Sequence, residues 1–213
     1  MMAGPARRRR APKGQGDRLR EEILAATERL LIETGDEAAV SIRAIADAAG
    51  VTPPSIYLHF ADKDELVFAV CQLEFAELGR RMQEAARGEK DPVRAVKNRG
   101  RAYIAFGVEH PAQYRILLMG KRELTREDFE SGTLPGMEAF AQVVESVQAC
   151  MDAGAFAPGD PFLVAMGLWA AVHGVTSLLI TVPGFPLVDA DALVDHVLDV
   201  QARGLTAKER PIE

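Results

Sequence analysis

Reactive side chains are scattered in this chain, and their spacing argues against most enzyme chemistry. His59, His110, His173 and His196 lie far apart, and none falls in an HExxH-like arrangement. There is no GxSxG elbow and no Gly-rich phosphate loop behind a strand. Cys71 and Cys150 are remote from each other and from any CxxC or Cys/His cluster. The reading is therefore of a non-enzyme with no cofactor and no metal; an all-α enzyme is the distant alternative, which turnover would reveal. One stretch concentrates hydroxyls and cations. From Ser41 to Lys63 (SIRAIADAAGVTPPSIYLHFADK) the chain places Ser41, Arg43, Thr52, Ser55, Tyr57, His59 and Lys63 close together in sequence.

The elements that must position these groups can be read locally. Ser41 is an N-cap, because its hydroxyl can take an orphan backbone N–H. Ile42, Ile45, Ala46 and Ala49 follow at the spacing of one helical face. Gly50 stops that helix by tolerating the left-handed C′ conformation. Thr52 caps the next helix and Pro53 sits at its first position, where a missing N–H costs nothing. The second helix, predicted as Pro53 to Phe60, turns Ile56 and Phe60 inward. Two short helices around a Gly turn make a helix-turn-helix pattern.

The same residues resemble one family. Ile45-Ala46, Ala49-Gly50-Val51 and Ser55-Ile56-Tyr57-Leu58-His59-Phe60, followed by Lys63 and Leu66, are similar to the DNA-binding signature of TetR-type transcriptional regulators. The likeness runs without gaps from roughly Arg20 to Leu66. It implies that Thr52, Ser55, Tyr57, His59 and Lys63 face double-stranded DNA. Tyr57, His59 and Lys63 would hold phosphates and so fix register. Ser41 and Thr52 would do likewise through hydroxyls at helix N-termini. Base reading would fall to Arg43, Pro54 and Ser55, with Arg43 able to make a bidentate guanine contact.

Charge is distributed in keeping with that expectation. The net charge of the 213 residues is −6, with 26% charged and 48% apolar residues, so the composition is that of ordinary globular material. Residues 1–20 nevertheless carry a net of +6, and residues 61–213 a net of −7. A basic end on an acidic body suits a protein that puts one end on a polyanion. Residues 1–16, with Arg7 to Arg10, read as a disordered basic arm. They precede a DNA-binding region at 17–62. The basic start is followed by polar sequence instead of an apolar run, so it does not read as a secretory signal. Cysteine usage suggests no oxidising compartment, and cytoplasm is the default.

Further along, helical patterns continue to the end, which predicts an all-α fold of about nine helices. Helix 1 runs from about Asp17 to Gly35 with Ile23, Thr27, Leu30 and Leu31 inside. Helix 4, residues 63–86, opens with a capping-box-like Asp62 and Glu65. Its inner residues are Leu66, Val70 and Leu73, continued by Glu77 or Leu78, and it should couple the head to the rest. Arg87 to Asp91 is a polar break and the expected domain boundary. A ligand-binding and dimerisation domain is expected over 91–205, then a frayed tail over 206–213. Asp91-Pro92 and Asp160-Pro161 open helices, as does Leu134-Pro135. Lys121 to Thr133 reads as a mobile connection. Asp189 or Asp191 opens the last helix, with Leu193, Val197 and Val200 inside and Gly204 as its stop.

Phe162 to Pro183 contains no Asp, Glu, Lys or Arg and is long enough to cross a bilayer. His173, Thr176 and Ser177 near its middle, and the absence of flanking Lys/Arg, argue against membrane insertion. A helix apolar on all sides also suits a large core or an oligomer interface. Gly167, Ala170, Ala171, Gly174 and Ser177 form a small-residue stripe, beside a face carrying Met166, Trp169, His173 and Thr176. The TetR resemblance implies that the last two long helices, helix 8 from Asp160-Pro161 to Pro183 and helix 9 from Asp189 or Asp191 to Gly204, pair with their copies in a homodimer. It also implies a pocket for a small hydrophobic effector, with Tyr103, Phe106, Tyr114, Met137, Phe140, Met166, Trp169 and His173 as candidate lining. Trp169, His173-Gly174 and EHPAQYRIL over 109–117 resemble one C-terminal subtype of that family. The expected protein is thus a homodimeric regulator of a near-palindromic operator, a repressor relieved by its ligand, or alternatively a ligand-independent regulator or an activator.

Overall fold

A computed structural model describes residues 15–120, 134–182, 184 and 188–206. The expectations for the Arg7–Arg10 arm, for Lys121 to Thr133, for Pro183 and for the last seven residues lie outside the described residues. Among those described there are nine α-helices and one 3-10 turn, with no strand beyond a single isolated bridge. The fold is all-α.

The chain divides into two compact units, Met1–Val70 and Cys71–Glu213. The first holds α1 (Gln15–Thr34), a 3-10 turn (Glu37–Ala39), α2 (Ile42–Ala49), α3 (Pro53–Ile56) and the start of α4 (Lys63–Ala86). Its core comprises Ile23, Leu24, Ala26, Thr27 and Leu31 of α1, Ile45 and Ala46 of α2, Ile56, Phe60, and Leu66, Val67 and Val70 of α4. Thr27 is buried at no cost, because its hydroxyl donates to the Ile23 carbonyl at 2.8 Å.

The caps explain most of the boundaries. Ser41 Oγ accepts from Ala44 N at 3.2 Å, and Gly50 closes α2 with φ +68°. Asp62 Oδ1 accepts from Glu65 N, while Glu65 Oε2 accepts from Ala61 N, one residue beyond the N-cap amide that a standard capping box would bond. Two boundaries differ from expectation. α3 ends at Ile56, and residues 57–59 form a turn in which Ile56 O accepts from both His59 N and Phe60 N. Pro53 and Pro54 fill the first helical positions, where no donor is needed, and Ser55 N bonds to Thr52 O at 2.8 Å. Thr52 has the extended cap conformation, yet its hydroxyl pairs with Ser55 Oγ at 3.0 Å in place of a backbone N–H.

The second unit is built around α5 (Pro92–Glu109), which packs against α6 (Pro111–Leu118), α7 (Met137–Asp152), α8 (Pro161–Thr181) and α9 (Ala190–Leu205). Two glycines permit its close approach. A Cβ at Gly107 would lie 2.2 Å from Thr176 Cγ2, and one at Gly100 would lie 2.7 Å from Leu198 Cδ2. Asp91, Asp160 and Asp189 each cap the helix that follows. Lys97 and Arg101 of α5 pair with Asp199 and Asp195 of α9. Val147, Cys150, Phe156 and Ala165 form one cluster of this core. Burial there pushes the Cys150 thiol up to about 11, so it stays protonated.

Several register expectations change here. α7 begins at Met137, two residues late, because Gly136 takes φ +89° and closes a turn against the Phe75 ring. In α9 the buried residues are Val194 and Leu198, whereas Val200 is exposed. That helix carries two apolar stripes, and the one facing α5 and α8 is not the one picked out by periodicity. Gly204 does not stop it. α9 runs on to Leu205, whose carbonyl accepts from Ala157 N at 2.8 Å, so the end is satisfied from across the fold. In α4, Leu73 is exposed; of Glu77 and Leu78, the two residues read as continuing its stripe, Leu78 is the buried one, and Met82 is buried after it.

Candidate functional site

The first unit leaves the side chains that the resemblance singled out exposed or half-exposed and buries their neighbours. Ile56 and Phe60 point inward, and Arg20 lies over the Phe60 ring at 5.0 Å. Tyr57 is 54% exposed, so it does not pack into the head. Ser41, Arg43, Thr52 and Pro54 are exposed, and Ser55, His59 and Lys63 are half-buried. Lys63 Nζ donates to Glu37 O at 3.1 Å, which holds the start of α4 against the 3-10 turn. Three of the hydroxyls are already engaged, Ser41 in its cap and Thr52 and Ser55 with each other. Each keeps further hydrogen-bonding capacity. Gly16 in the first turn of α1 lies beside His59, since a Cβ there would come within 3.9 Å of His59 Cε1. The chain therefore enters α1 next to the segment that carries Tyr57 and His59.

In the second unit a chain of polar side chains crosses the interior. Trp169 Nε1 donates to Tyr103 Oη at 3.0 Å, the Tyr103 and Tyr114 hydroxyls are 3.0 Å apart, and Tyr114 Oη lies 2.6 Å from His173 Nδ1. Indole can only donate, so Tyr103 Oη accepts from Trp169, while the direction of the links from Tyr103 through Tyr114 to His173 follows the imidazole tautomer. Desolvation holds the imidazole below its ordinary pKa and raises both phenols, so all members stay neutral near pH 7. Of the eight candidate lining residues, this network gathers Tyr103, Tyr114, Trp169 and His173. Phe140 joins at the edge of Trp169 at 6.5 Å.

Beside the network lies a cavity of about 50 Å³. It has room for a few water molecules, far below the roughly 300–1,000 Å³ of a drug-sized ligand site. Tyr103 and Trp169 line it, but Phe106, Tyr114, Met137, Phe140, Met166 and His173 do not. Phe106 is buried under Arg81, and Met166 faces outward. The residues that sequence reasoning missed include Met82, Arg99, Ser146, Val172, Leu198 and Gln201. A signal for Arg99 existed. It sits three residues after Val96 and four before Tyr103, a charge on the inner face of α5.

α8 is the one helix among the described residues long and apolar enough to cross a membrane. Ala165, Val172, Val175 and Thr176 are buried in this unit, while Phe162, Leu163, Met166, Leu178 and Val182 are exposed. A Cβ added at Gly167 or Gly174 would meet nothing within 4 Å, so the small-residue stripe is open in the single chain.

The comparisons with known proteins agree with both units. Residues 23–70 match the bacterial regulatory proteins of the tetR family, and residues 96–201 match the tetracyclin repressor-like C-terminal domain. The HTH-type transcriptional activator FasR of Mycolicibacterium smegmatis is 31% identical over 151 residues, covering 70% of this chain and 62% of the relative's own length. A protein of unknown function from Rhodococcus sp. RHA1 superposes with a TM-score of 0.73 at 25% identity, over 93% of this chain and 100% of that one. A TetR family transcription regulator from Marinobacter aquaeolei VT8 shares the fold with a TM-score of 0.71 at 18% identity, over 91% of this chain and 98% of that one. With a matching head, a matching C-terminal domain and the same all-α fold, the chain belongs to the TetR family of DNA-binding transcription regulators and not to an enzyme family.

Proposed function

We propose that this chain is a cytoplasmic homodimer that binds a near-palindromic operator through α2 and α3 and releases it when a small molecule enters the second unit. The carrying observation is the division of the Ser41 to Lys63 stretch. Ile45, Ile56 and Phe60 are buried, while Arg43, Pro54 and Tyr57 stand in solvent on the same short elements. Tyr57, His59 and Lys63 hold phosphates, with Ser41 and Thr52 beside them. Arg43, Pro54 and Ser55 read bases. The basic arm before α1, leaving from beside His59, adds phosphate or minor-groove contacts. The head is residues 17–62, α4 carries the coupling, and 91–205 take the ligand and the partner.

The second copy docks on α8 and α9. Supporting this are the exposed Phe162, Leu163, Leu178 and Val182, the open stripe at Gly167 and Gly174, and the outer apolar stripe of α9 ending in Val200. A charge-free helix half covered by its own unit is accounted for by self-pairing without a membrane. The effector acts by population shift, preferring a dimer whose two α3 segments no longer match successive major grooves about 34–36 Å apart. Repression follows from occupancy of a promoter. Activation is the second reading, favoured by the description of the Mycolicibacterium smegmatis relative as an activator. Purified full chain should retard a near-palindromic duplex from its own promoter region, with steep salt dependence. Equal retardation of a scrambled duplex at moderate salt contradicts the regulator reading, and a reporter on that promoter separates repression from activation.

A further inference from the structure

The cavity beside Trp169 is lined by a cation with one edge open, Arg99. Arg99 of α5 and Gln201 of α9 both line it, and Arg99 Nε and Gln201 Oε1 are buried atoms with no hydrogen bond. Among the described residues, Arg99 makes one hydrogen bond, from Nη1 to Gln142 Oε1 at a long 3.4 Å, and no ion pair. Glu145 of α7 attracts it only at longer range. Gln201 Nε2 is held by Gly167 O at 3.3 Å, which fixes the amide with its oxygen left over. Most of the remaining lining is apolar, including Met82, Val96, Val143, Leu168, Val172 and Leu198.

Arg99 is half-buried, and desolvation disfavours its charge there, so an anion that meets its buried Nε edge is favoured. Its Nε–Nη2 edge is the fork that a carboxylate fits bidentately. We infer that the effector of this cavity is an amphipathic anion, with a carboxylate on the open edge of Arg99 and an apolar body among Met82, Val172 and Leu198. A water or ligand hydroxyl donates to Gln201 Oε1. This rests on the ligand-responsive reading above and replaces a purely apolar effector with a charged one. The cavity must widen to admit it. Met82 is the lining side chain with the rotamer freedom to do so, and Leu198 lies opposite Gly100 on a neighbouring helix.

Trp169 is the sole tryptophan of the chain and lines the cavity, so its fluorescence reports occupancy directly. The full-length protein is titrated with 3-cyclohexylpropanoate and with its uncharged counterpart, 3-cyclohexylpropan-1-ol. The carboxylate should bind at least tenfold more tightly. Arg99→Met, which keeps the stem and removes the charge, should abolish that preference, and Arg99→Lys should restore part of it; circular dichroism checks that both fold. Equal affinity for the two probes overturns the anion while leaving ligand binding intact. A preference that survives in Arg99→Met overturns the role of Arg99. No response to either probe overturns the inference, and the broader ligand-responsive reading falls separately if operator binding also ignores a chemically diverse set of small molecules.

Discussion

The two units place their polar chemistry on opposite sides of their cores. In Met1–Val70 the core is apolar apart from Thr27, whose hydroxyl is satisfied within its own helix, and Arg43 of α2 and Tyr57 in the turn after α3 face solvent. In Cys71–Glu213 the polar groups turn inward, as a neutral chain from Trp169 to His173 and as an unpartnered edge of Arg99. An outward arrangement suits a polyanionic partner, which meets a preformed surface and releases counterions. An inward one suits a small partner that must displace protein or water to enter. Difference in function thus appears as difference in where desolvation is borne.

That comparison can be broken by cutting each core separately. Phe60→Ala removes a ring buried in the first unit and should cost about 4 kcal/mol there. Operator binding should be lost while the unfolding midpoint read by Trp169 fluorescence moves little. Gly107→Val drives a side chain into Thr176 and Tyr114 and should cost about 3 kcal/mol in the second unit, now shifting the Trp169 midpoint in urea. If both variants move both readouts alike, the two units do not behave as separate cores.

Smaller changes sharpen the division of labour on the head. Arg43→Ala should reduce discrimination between operator and scrambled duplex by about 2 kcal/mol. Tyr57→Phe with Lys63→Ala should weaken both duplexes equally and flatten the salt dependence by about one counterion. Anisotropy titrations at several salt concentrations would separate the two patterns. Identical behaviour would mean that Arg43 is a phosphate contact.

The smallest expected effect is on pH. Burial lowers the His173 pKa below its ordinary value, so the unfolded chain takes up a proton before the folded one does. The second unit is therefore at full stability above about pH 6.5 and weakens as pH falls through that value toward the lower folded-state pKa. Urea midpoints of the wild type should decline from pH 7.5 to pH 5.5, and those of His173→Gln should decline less.

How legible each region was in the sequence follows from the range of its contacts. Ser41, Gly50 and Asp62 act on neighbours within four residues, and local spacing identified them all. α3 was overextended because the i, i+4 spacing of the buried Ile56 and Phe60 suits a single closing turn as well as a continued helix. In the second unit the contacts that matter join residues far apart in sequence, such as Tyr114 with His173 and Arg101 with Asp195. The spacing of α9 contains two apolar stripes, and nothing local says which one meets α5. Four of the candidates were brought together by the fold and two of them, Tyr103 and Trp169, line the cavity, but its other walls come from residues chosen by packing. Only Arg99 left a trace in the pattern, as a charge on an inner face.

The central claim, a symmetric pair of heads on one duplex, is tested most directly by hydroxyl-radical footprinting of the full chain on its own promoter region. Two protected half-sites, related by a near-palindrome and centred about one or an integral number of helical turns apart, are predicted. A single protected half-site, or uniform protection without symmetry, would contradict the account.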